Sequence, residues 1–364
     1  MAGYVQRVNV NHPTPVEIMS TELSSSFQIN PADLPDEAVI FGSTSSMLEI
    51  RRRIDHLSGS DLPVLIEGES GTGKEVIARF LHTRSTRRDS PFVKVNCAAV
   101  PASLLESELF GYEKGSFPNA QEGRAGLVEI ASGGTLFLDE IGGLPWDLQG
   151  KLLCLLQDGS YIRIGETVER MGQVRIICAT NVNLEEEVVA GAFRSDLFHH
   201  IDVASLHMPT LRDRRKDIAQ LCEYFLQKLG QQFGRIAPRL SPSTLRLLEQ
   251  WHWPGNLREL ENWVARAIIL GNDEALGAEL RHQVTLSSAF VSRQLRMSPL
   301  KEVSRRATLA VTRAVVLKAL QANHWNRRKT AEELNMSYRS LLYKLREAGV
   351  PQRRRGHNGF RPQS

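Results

Sequence analysis

Residues 68–74 read Gly-Glu-Ser-Gly-Thr-Gly-Lys and directly follow the apolar run Pro63–Glu67, while a helical pattern, Lys74–His82, begins at their end. Glycines at this spacing let backbone N–H groups converge on phosphate oxygens, and the amino end of the helix adds partial positive charge. Lys74 can then reach the terminal phosphates of a nucleotide; a glycine-rich turn without a ligand is the alternative. The predicted phosphate-binding residues are Gly68, Glu69, Ser70, Gly71, Thr72, Gly73, Lys74 and Glu75.

A second motif, Leu-Phe-Leu-Asp-Glu at Leu136–Glu140, lies about 65 residues after the glycine-rich loop. Its apolar residues predict a strand that ends at two carboxylates. Asp139 would hold Mg²⁺ beside the phosphates, and Glu140 would orient and polarise the attacking water. Because Glu75 stands where Ser or Thr usually follows the lysine, a further magnesium ligand would be Thr72, another residue or water.

Strand and helix patterns alternate as far as Pro209, and only helical patterns follow. This order predicts an α/β fold with a parallel sheet covered on both faces, followed by a helical region. The predicted strands are Pro63–Glu67, Phe92–Asn96, Gly134–Asp139 and Val174–Ala179. The predicted divisions are a flexible arm over residues 1–37, an α/β subdomain over 38–208, a helical subdomain over 209–285, a linker over 286–300, an all-α helix-turn-helix domain over 301–350 and a basic tail over 351–364.

Charge is unevenly distributed along the chain. Residues 301–364 hold 15 Lys and Arg against 4 Asp and Glu, whereas residues 1–300 hold 30 against 37. Such a basic segment indicates a polyanionic partner such as DNA, and a solvated tail is the alternative. Two helical patterns around a turn at Asn335 and Met336 match a helix-turn-helix, with a plain helical hairpin as the alternative. The predicted DNA-contacting residues are Arg327, Arg328, Arg339, Ser340, Tyr343 and Lys344.

Composition narrows the class of protein. Hydrophobic residues make up 41% and charged residues 24% of the 364 residues, which excludes a disordered or fibrous chain. No apolar run reaches the roughly 20 residues that cross a bilayer, and the first 30 residues lack a signal-peptide core. The four cysteines show no metal spacing, so we expect a cytoplasmic protein with reduced thiols and no membrane association.

Together these motifs resemble those of bacterial enhancer-binding proteins, the AAA+ activators of sigma-54 RNA polymerase. The resemblance extends over about residues 40–349 and ends in a Fis-type helix-turn-helix. The matching stretches are Gly68–Glu75, Asn96–Ala99, Glu108–Gly111, Gly133–Glu140 and Pro254–Asn262. The resemblance implies an AAA+ P-loop sheet with a helical lid, ATP and Mg²⁺ as cofactors, and DNA and sigma-54 RNA polymerase as partners.

The resemblance also implies roles for further residues. Asn96 would hold the second carboxylate of the acidic motif away from water until the target binds. Thr180 and Asn181 would form a first sensor of the nucleotide, and Arg258 would form a second. Arg194 would be supplied to the nucleotide of a neighbouring subunit, which requires a homo-oligomeric ring, usually a hexamer.

Two parts of the sequence depart from the family. His200 stands where the family has a second arginine that acts across the subunit interface, and an imidazole cannot copy a permanent, forked cation. The family's sigma-contacting loop reads Gly-Ala-Phe-Thr-Gly-Ala. The corresponding residues of this chain are Gly115, Ser116, Phe117, Pro118, Asn119 and Ala120. The apolar tip Phe117 is kept, whereas Pro118 lacks a hydroxyl and an N–H group, and Asn119 lacks the torsional freedom of glycine.

Two functions remain in competition at this point. The first is an ATP-hydrolysing activator that binds DNA and remodels sigma-54 RNA polymerase. The alternative is a DNA-binding regulator that binds ATP, hydrolyses it weakly and does not engage sigma-54. His200, Pro118 and Asn119 favour the alternative, whereas the intact acidic motif and Arg194 favour the first. A general P-loop enzyme such as a helicase would leave the helix-turn-helix unexplained.

Overall fold

The computed structural model describes residues 28–118, 120–273, 277–278, 280–281, 327–333, 336 and 341. The chain divides into two compact units, Met1–Arg281 and His282–Ser364. The helices are, in chain order, α1 Glu37–Phe41, α2 Ser45–Leu57, α3 Lys74–Thr83, α4 Ala102–Phe110, α5 Leu127–Ile130, α6 Trp146–Asp158, α7 Leu184–Ala190, α8 Ser195–Ile201, α9 Ile218–Phe233, α10 Pro242–Gln250, α11 Asn256–Leu270 and α12 Arg327–Glu333. The strands are β1 Val64–Glu67, β2 Phe92–Asn96, β3 Gly111–Tyr112, β4 Arg124–Ala125, β5 Thr135–Asp139, β6 Ser160–Tyr161, β7 Arg170–Met171, β8 Arg175–Thr180 and β9 Ser205–His207.

Five strands of the first unit form a parallel sheet in the order β2-β5-β8-β1-β9. The pairs β3–β4 and β6–β7 are short antiparallel hairpins. The predicted fold class, a parallel sheet followed by a helical lid, is confirmed. The edge strand β9 was not predicted, because Leu206 is its only apolar residue and three residues carry no periodic signal.

Alternate residues of the buried strands enter two cores on opposite faces of the sheet. Leu136 and Leu138 of β5 pack with residues of α4, α6 and α8, whereas Phe137 packs on the other face with residues of α2 and α3. All six residues of β8 are buried, a pattern typical of a parallel strand covered on both faces. The two covered faces leave the carboxyl edge of the sheet as the open side.

The lid, α9 to α11, has a core of its own. Trp253 and Trp263 are buried there among Leu248, Leu260 and other apolar residues. The indole Nε1 of Trp253 donates a hydrogen bond to the carbonyl of Leu248 at 2.7 Å, so its polar edge is satisfied inside the lid.

The last part of the flexible arm predicted over residues 1–37 has a defined structure. Ile29 is buried in the core formed by α2 and α3, and Pro31–Asp33 forms a 3₁₀ turn. The apolar side chain of Ile29 thus packs an otherwise polar segment against the core. Residues 1–27 lie outside the described part of the chain.

The second unit is described over α12 and two further positions. Thr330, Ala331 and Leu341 are buried, and the N–H of Met336 donates to the carbonyl of Ala331 at 2.9 Å. Of the predicted DNA contacts, Arg327 lies at the start of α12 and is half-buried. The described part of the chain does not include the other predicted contacts, which are the side chain of Arg328 and the residues Arg339, Ser340, Tyr343 and Lys344. No helix within the described residues is long and apolar enough to cross a membrane.

A buried carboxylate, Asp217, ties the start of the lid to the turn between α1 and α2. It accepts hydrogen bonds from the N–H of Ser43 at 2.8 Å, the hydroxyl of Thr44 at 2.6 Å and Nε of Arg214 at 3.2 Å. Gly42 has a φ of 56°, and a Cβ at that position would lie 2.4 Å from Cγ of Asp217. Burial alone would raise the pKa of Asp217, but its hydrogen bonds hold that pKa below the ordinary value.

We expect Asp217→Ala to lower the free energy of unfolding by about 3–5 kcal/mol, because it leaves the buried guanidinium of Arg214 without a counter-charge. Urea unfolding followed by tryptophan fluorescence measures the change. Glu249→Ala removes an exposed carboxylate of α10 and is the matched control, with little expected change. Equal unfolding midpoints for the two variants would contradict the role given to Asp217.

Candidate functional site

The site lies at the carboxyl edge of the sheet, where the strand register brings polar residues side by side. Asn96 at the end of β2 pairs with Asp139 at the end of β5, and Glu67 pairs with Thr180. The glycine-rich loop leaves β1 directly after Glu67. In parallel α/β sheets, ligands bind in the crevice outside these carboxyl ends.

The loop over Gly68–Gly73 joins β1 to α3 with its backbone amides grouped at the amino end of the helix. Gly73 precedes α3 with a φ of 97°, a conformation that favours glycine. Gly71 has a φ of 79°, and a Cβ on it would lie 2.3 Å from the carbonyl oxygen of Gly255 in the lid. The predicted phosphate loop therefore has the strand–loop–helix context that phosphate binding requires.

Lys74, the first residue of α3, is folded back over its own loop. Its Nζ donates to the carbonyl of Gly68 at 2.8 Å and lies 4.0 Å from Oε1 of Glu140. Only 7% of the side chain is exposed, and burial lowers the pKa of Lys74 while Glu140 and Asp139 oppose that shift. A bound polyphosphate would offer this ammonium group better acceptors than backbone carbonyls.

Glu75 occupies the position where a magnesium-binding hydroxyl is usual, and its carboxylate is engaged by two neighbouring side chains. Its Oε1 accepts a hydrogen bond from Nε of Arg79 at 2.9 Å, and its Oε2 accepts one from Nζ of Lys94 at 2.5 Å. Burial would raise the pKa of Glu75, but these two donors hold that pKa below the ordinary value. The same Lys94 Nζ is 3.6 Å from Oδ2 of Asp139.

Glu140 is held by the segment that follows β8. Its Oε2 accepts a hydrogen bond from the N–H of Asn181 at 3.3 Å, while Thr180 is buried and uses its hydroxyl within its own turn. Asn96 is adjacent, but its Oδ1 accepts from the N–H groups of Ala98 and Ala99 at 3.0 and 2.9 Å. Within the described residues, no hydrogen bond joins Asn96 to Glu140, so the restraining role implied for Asn96 stays a prediction.

The lid contacts the phosphate loop directly. Nη1 of Arg258 donates to the hydroxyl of Ser70 at 2.9 Å. Nδ2 of Asn256 donates to the carbonyl of Ser70 at 3.0 Å and lies 3.2 Å from Oε2 of Glu69. Arg212 holds that carboxylate through two hydrogen bonds of 2.6 and 3.0 Å. Hydrogen bonds from Arg212 and Asn256 hold the pKa of Glu69 below its ordinary value.

A cavity of about 430 Å³ lies between the sheet and the lid. Its polar lining includes residues of the phosphate loop, Lys94, Asp139, Glu140 and Arg258. Apolar side chains line it as well, namely Val39, Ile40, Met47, Leu221, Tyr224 and Phe225, with Arg214, Lys228 and Glu261 among them. A cavity that combines phosphate-binding groups with apolar walls suits a nucleotide.

Sequence reasoning missed several residues of this cavity and of the lid contacts beside it. Lys94 reads only as one polar position in an apolar strand, and the apolar wall comes from segments that are remote in sequence. Arg212 gives no motif signal. Asn256 stands at a Pro-Gly break before a helix, a signal that could have identified it as a special position.

The oxygen donors beside the loop fit a magnesium ion. Mg²⁺ usually binds one or two carboxylates together with waters and phosphate oxygens. Asp139 offers the carboxylate predicted to hold the ion, whereas the hydroxyl of Thr72 donates to the carbonyl of Glu69 at 2.8 Å. The described residues contain no group of three or more His, Cys, Asp or Glu that could hold a metal.

Arg194 and His200 lie away from this cavity, around helix α8. Asp196 receives hydrogen bonds from Nε and Nη2 of Arg194 at 3.0 and 2.7 Å, which hold the pKa of Asp196 down at about 2. The guanidinium of Arg194 also lies 5.7 Å from the ring centroid of Trp146, which is 49% exposed.

Nδ1 of His200 donates to the carbonyl of Asp196 at 2.9 Å, and its Nε2 is 3.1 Å from the amide nitrogen of Gln157. The neutral imidazole satisfies both contacts.

Backbone hydrogen bonds link the described residues of the predicted sigma-contacting loop. The N–H of Gly115 donates to the carbonyl of Ala120 at 2.8 Å, and the N–H of Ala120 donates to the carbonyl of Phe117 at 2.9 Å. The Phe117 ring lies 4.8 Å from that of Tyr112 and remains 38% exposed at the tip. Pro118 is within the turn, and Asn119 lies outside the described residues.

Three protein families match consecutive parts of the chain. The Sigma-54 interaction domain matches residues 40–207, the AAA+ ATPase lid domain matches 212–290, and the Fis family of bacterial regulatory proteins matches 311–347. Each match agrees with one part of the described architecture or with the basic C-terminal segment.

Individual proteins are similar over most of the chain. The regulatory protein AtoC of Escherichia coli (strain K12) is 43% identical over 316 residues, which cover 85% of this chain and 68% of AtoC. The regulator NtrC of Klebsiella pneumoniae is 40% identical over 334 residues, which cover 86% and 71%. The crystal structure of NtrX from Brucella abortus superposes with a TM-score of 0.62 at 32% identity, covering 86% of this chain and 70% of NtrX. At this level of identity over more than two thirds of a relative's length, the chain belongs to the bacterial enhancer-binding proteins, the sigma-54-dependent activators of transcription.

Proposed function

We propose that this chain binds ATP between the sheet and the lid, hydrolyses it within a ring of copies, and thereby remodels sigma-54 RNA polymerase from a bound DNA site. The observation that carries the proposal is the convergence of Lys74, Asp139, Glu140 and Arg258 on one cavity that also has apolar walls. A crystal structure of the relative NtrX is described as a complex with ATP, which supports ATP as the nucleotide.

The phosphate loop would bind the nucleotide through its backbone amides and Lys74. Lys74 would exchange its hydrogen bond to the carbonyl of Gly68 for phosphate oxygens, which are stronger acceptors. Arg258 would bind the same phosphates from the side of the lid, because it already contacts Ser70 of the loop. Apolar residues such as Val39 and Phe225 would cover the base.

Glu140 would act as the general base. Its carboxylate would take a proton from a water molecule while the water oxygen attacks the γ-phosphorus, and the bond to the β-phosphate oxygen would break to release ADP. The N–H of Asn181 orients this carboxylate at 3.3 Å. Bound Mg²⁺, held through Asp139, would neutralise charge on the phosphate oxygens.

Arg194 would complete the site of a neighbouring copy. Its guanidinium lies away from the cavity of its own subunit, on the exposed side of α6 beside Trp146. An arginine at such an interface stabilises charge that develops on the transferred phosphoryl group. This arrangement supports an oligomer as the working form, and Phe117 would be the tip that meets sigma-54.

A weakly hydrolysing regulator that does not engage sigma-54 is the second candidate. His200 favours it, because its ring is already engaged with Asp196 and Gln157 and, unlike a guanidinium, supplies no permanent charge to a neighbour. Pro118 favours it as well, since the turn that presents Phe117 lacks the family's threonine hydroxyl.

We expect Glu140→Gln to bind ATP with little change and to lose hydrolysis by about 10²–10⁴-fold, because the amide keeps the shape but accepts no proton. Nucleotide binding and phosphate release are measured in parallel. Lys74→Ala serves as the comparison and should lose binding itself. Near-normal turnover by Glu140→Gln would mean that this carboxylate is structural.

His200→Arg should raise ATPase activity in concentrated protein, because it restores a fixed cation near the phosphates of the neighbouring copy. Arg194 is already present, so we expect a gain in rate well below the roughly 10³–10⁵-fold that an arginine from a neighbouring subunit contributes in the most dependent enzymes. His56→Arg makes the same change on exposed α2 and should have no effect. An ATPase rate that His200→Arg leaves unchanged would contradict the placement of His200 at the subunit interface.

Binding of the full chain to DNA should weaken steeply with salt, with a log–log slope of roughly −4 to −5 for about five phosphate contacts. Arg339→Ala should reduce discrimination between sites, whereas replacing Arg353, Arg354 and Arg355 should weaken all sites alike. Fluorescence anisotropy with two DNA sequences separates these effects. Binding that does not respond to salt would contradict a phosphate-binding role for the basic segment.

A further inference from the structure

Lys94 joins two carboxylates beside the phosphate loop, and none of the motifs includes it. Its Nζ lies 2.5 Å from Oε2 of Glu75 and 3.6 Å from Oδ2 of Asp139. The side chain lines the cavity and is 34% exposed. It therefore contributes a positive charge within the site without being part of the phosphate loop.

The position of Lys94 follows from the strand that carries it. Val93 and Val95 enter the core on one face of the sheet, so Lys94 between them lies on the face of α3. Glu75 in the first turn of α3 reaches it there, while Arg79, one turn further along α3, holds the other carboxylate oxygen. Glu75 is thereby an anchor for Lys94, since both of its oxygens are already engaged.

The charges of the cavity explain why this anchor matters. Asp139 and Glu140 stand side by side at the end of β5, and a nucleotide would bring several more negative charges to them. Lys74 lies 4.0 Å from Glu140 and also interacts with Asp139, whereas Nζ of Lys94 lies 3.6 Å from Oδ2 of Asp139. Without Lys94, Asp139 would repel the incoming phosphates more strongly until a metal ion neutralised it.

We propose that Lys94, anchored by Glu75, offsets the charge of Asp139 and so allows the site to accept a nucleotide before Mg²⁺ is bound. The inference rests on the proposed function, because it assumes that the cavity takes ATP. Lys94 acts through Asp139 and is a positioning residue. Its contribution is largest without the metal, since bound Mg²⁺ neutralises the same carboxylate.

Affinity for a fluorescent ATP analogue, measured in excess EDTA and in excess Mg²⁺, tests this role on the full chain. For Lys94→Met we expect Kd in EDTA to rise on the order of tenfold, as for one partly screened charge interaction, and Kd in Mg²⁺ to rise less than threefold. Lys94→Arg should keep most of the affinity in EDTA.

Lys151→Met is the matched control, since Lys151 pairs with Glu106 on the surface and does not line the cavity. It should leave both affinities unchanged. Should Lys94→Met fail to fold, as judged by circular dichroism, Lys94→Gln gives the same comparison. Equal changes of Kd in EDTA and in Mg²⁺, or no change in either, would overturn the inference alone. A parent protein that binds the analogue in neither condition would overturn the proposed function and this inference with it.

Discussion

The whole site depends on the docking of the amino end of α11 on the phosphate loop. The N–H of Leu257 donates to the carbonyl of Gly71 at 2.9 Å, and the carbonyl of Gly255 is so close that only a glycine fits at position 71. Asn256, itself at a φ of 51°, bonds to Ser70 through Nδ2 and accepts from the N–H of Leu211. A lid movement must therefore move the loop or break these bonds, so a nucleotide bound to the loop would, under the proposed function, be coupled to lid position.

A second constraint is the separation of the catalytic parts. The carboxylates and the phosphate loop belong to one cavity, whereas Arg194 is held on another face by Asp196 and Trp146. Both contacts of Arg194 are exposed and are individually weak, so a neighbour's phosphate can replace them. Under the proposed function, such a division would leave a single copy incomplete and would let assembly control hydrolysis.

Much of the fold and the polar part of the site could be predicted because their signals are local. The glycine-rich loop and the run Leu136–Glu140 carry their own strand and turn chemistry, and parallel register then places their ends together. The apolar wall, Arg212 and Lys94 could not be predicted, because each acquires its role only when segments far apart in sequence meet. The role implied for Asn96 stays a prediction, since its amide oxygen accepts from the N–H groups of Ala98 and Ala99 in this structure.

The central claim is that hydrolysis is completed between copies of this chain. The ATPase rate per subunit, measured across a wide range of protein concentration, tests that claim most directly. Our account predicts a steep rise toward a plateau as rings assemble, because Arg194 of one copy must reach the nucleotide of the next. A rate per subunit that stays constant from dilute to concentrated protein would contradict it.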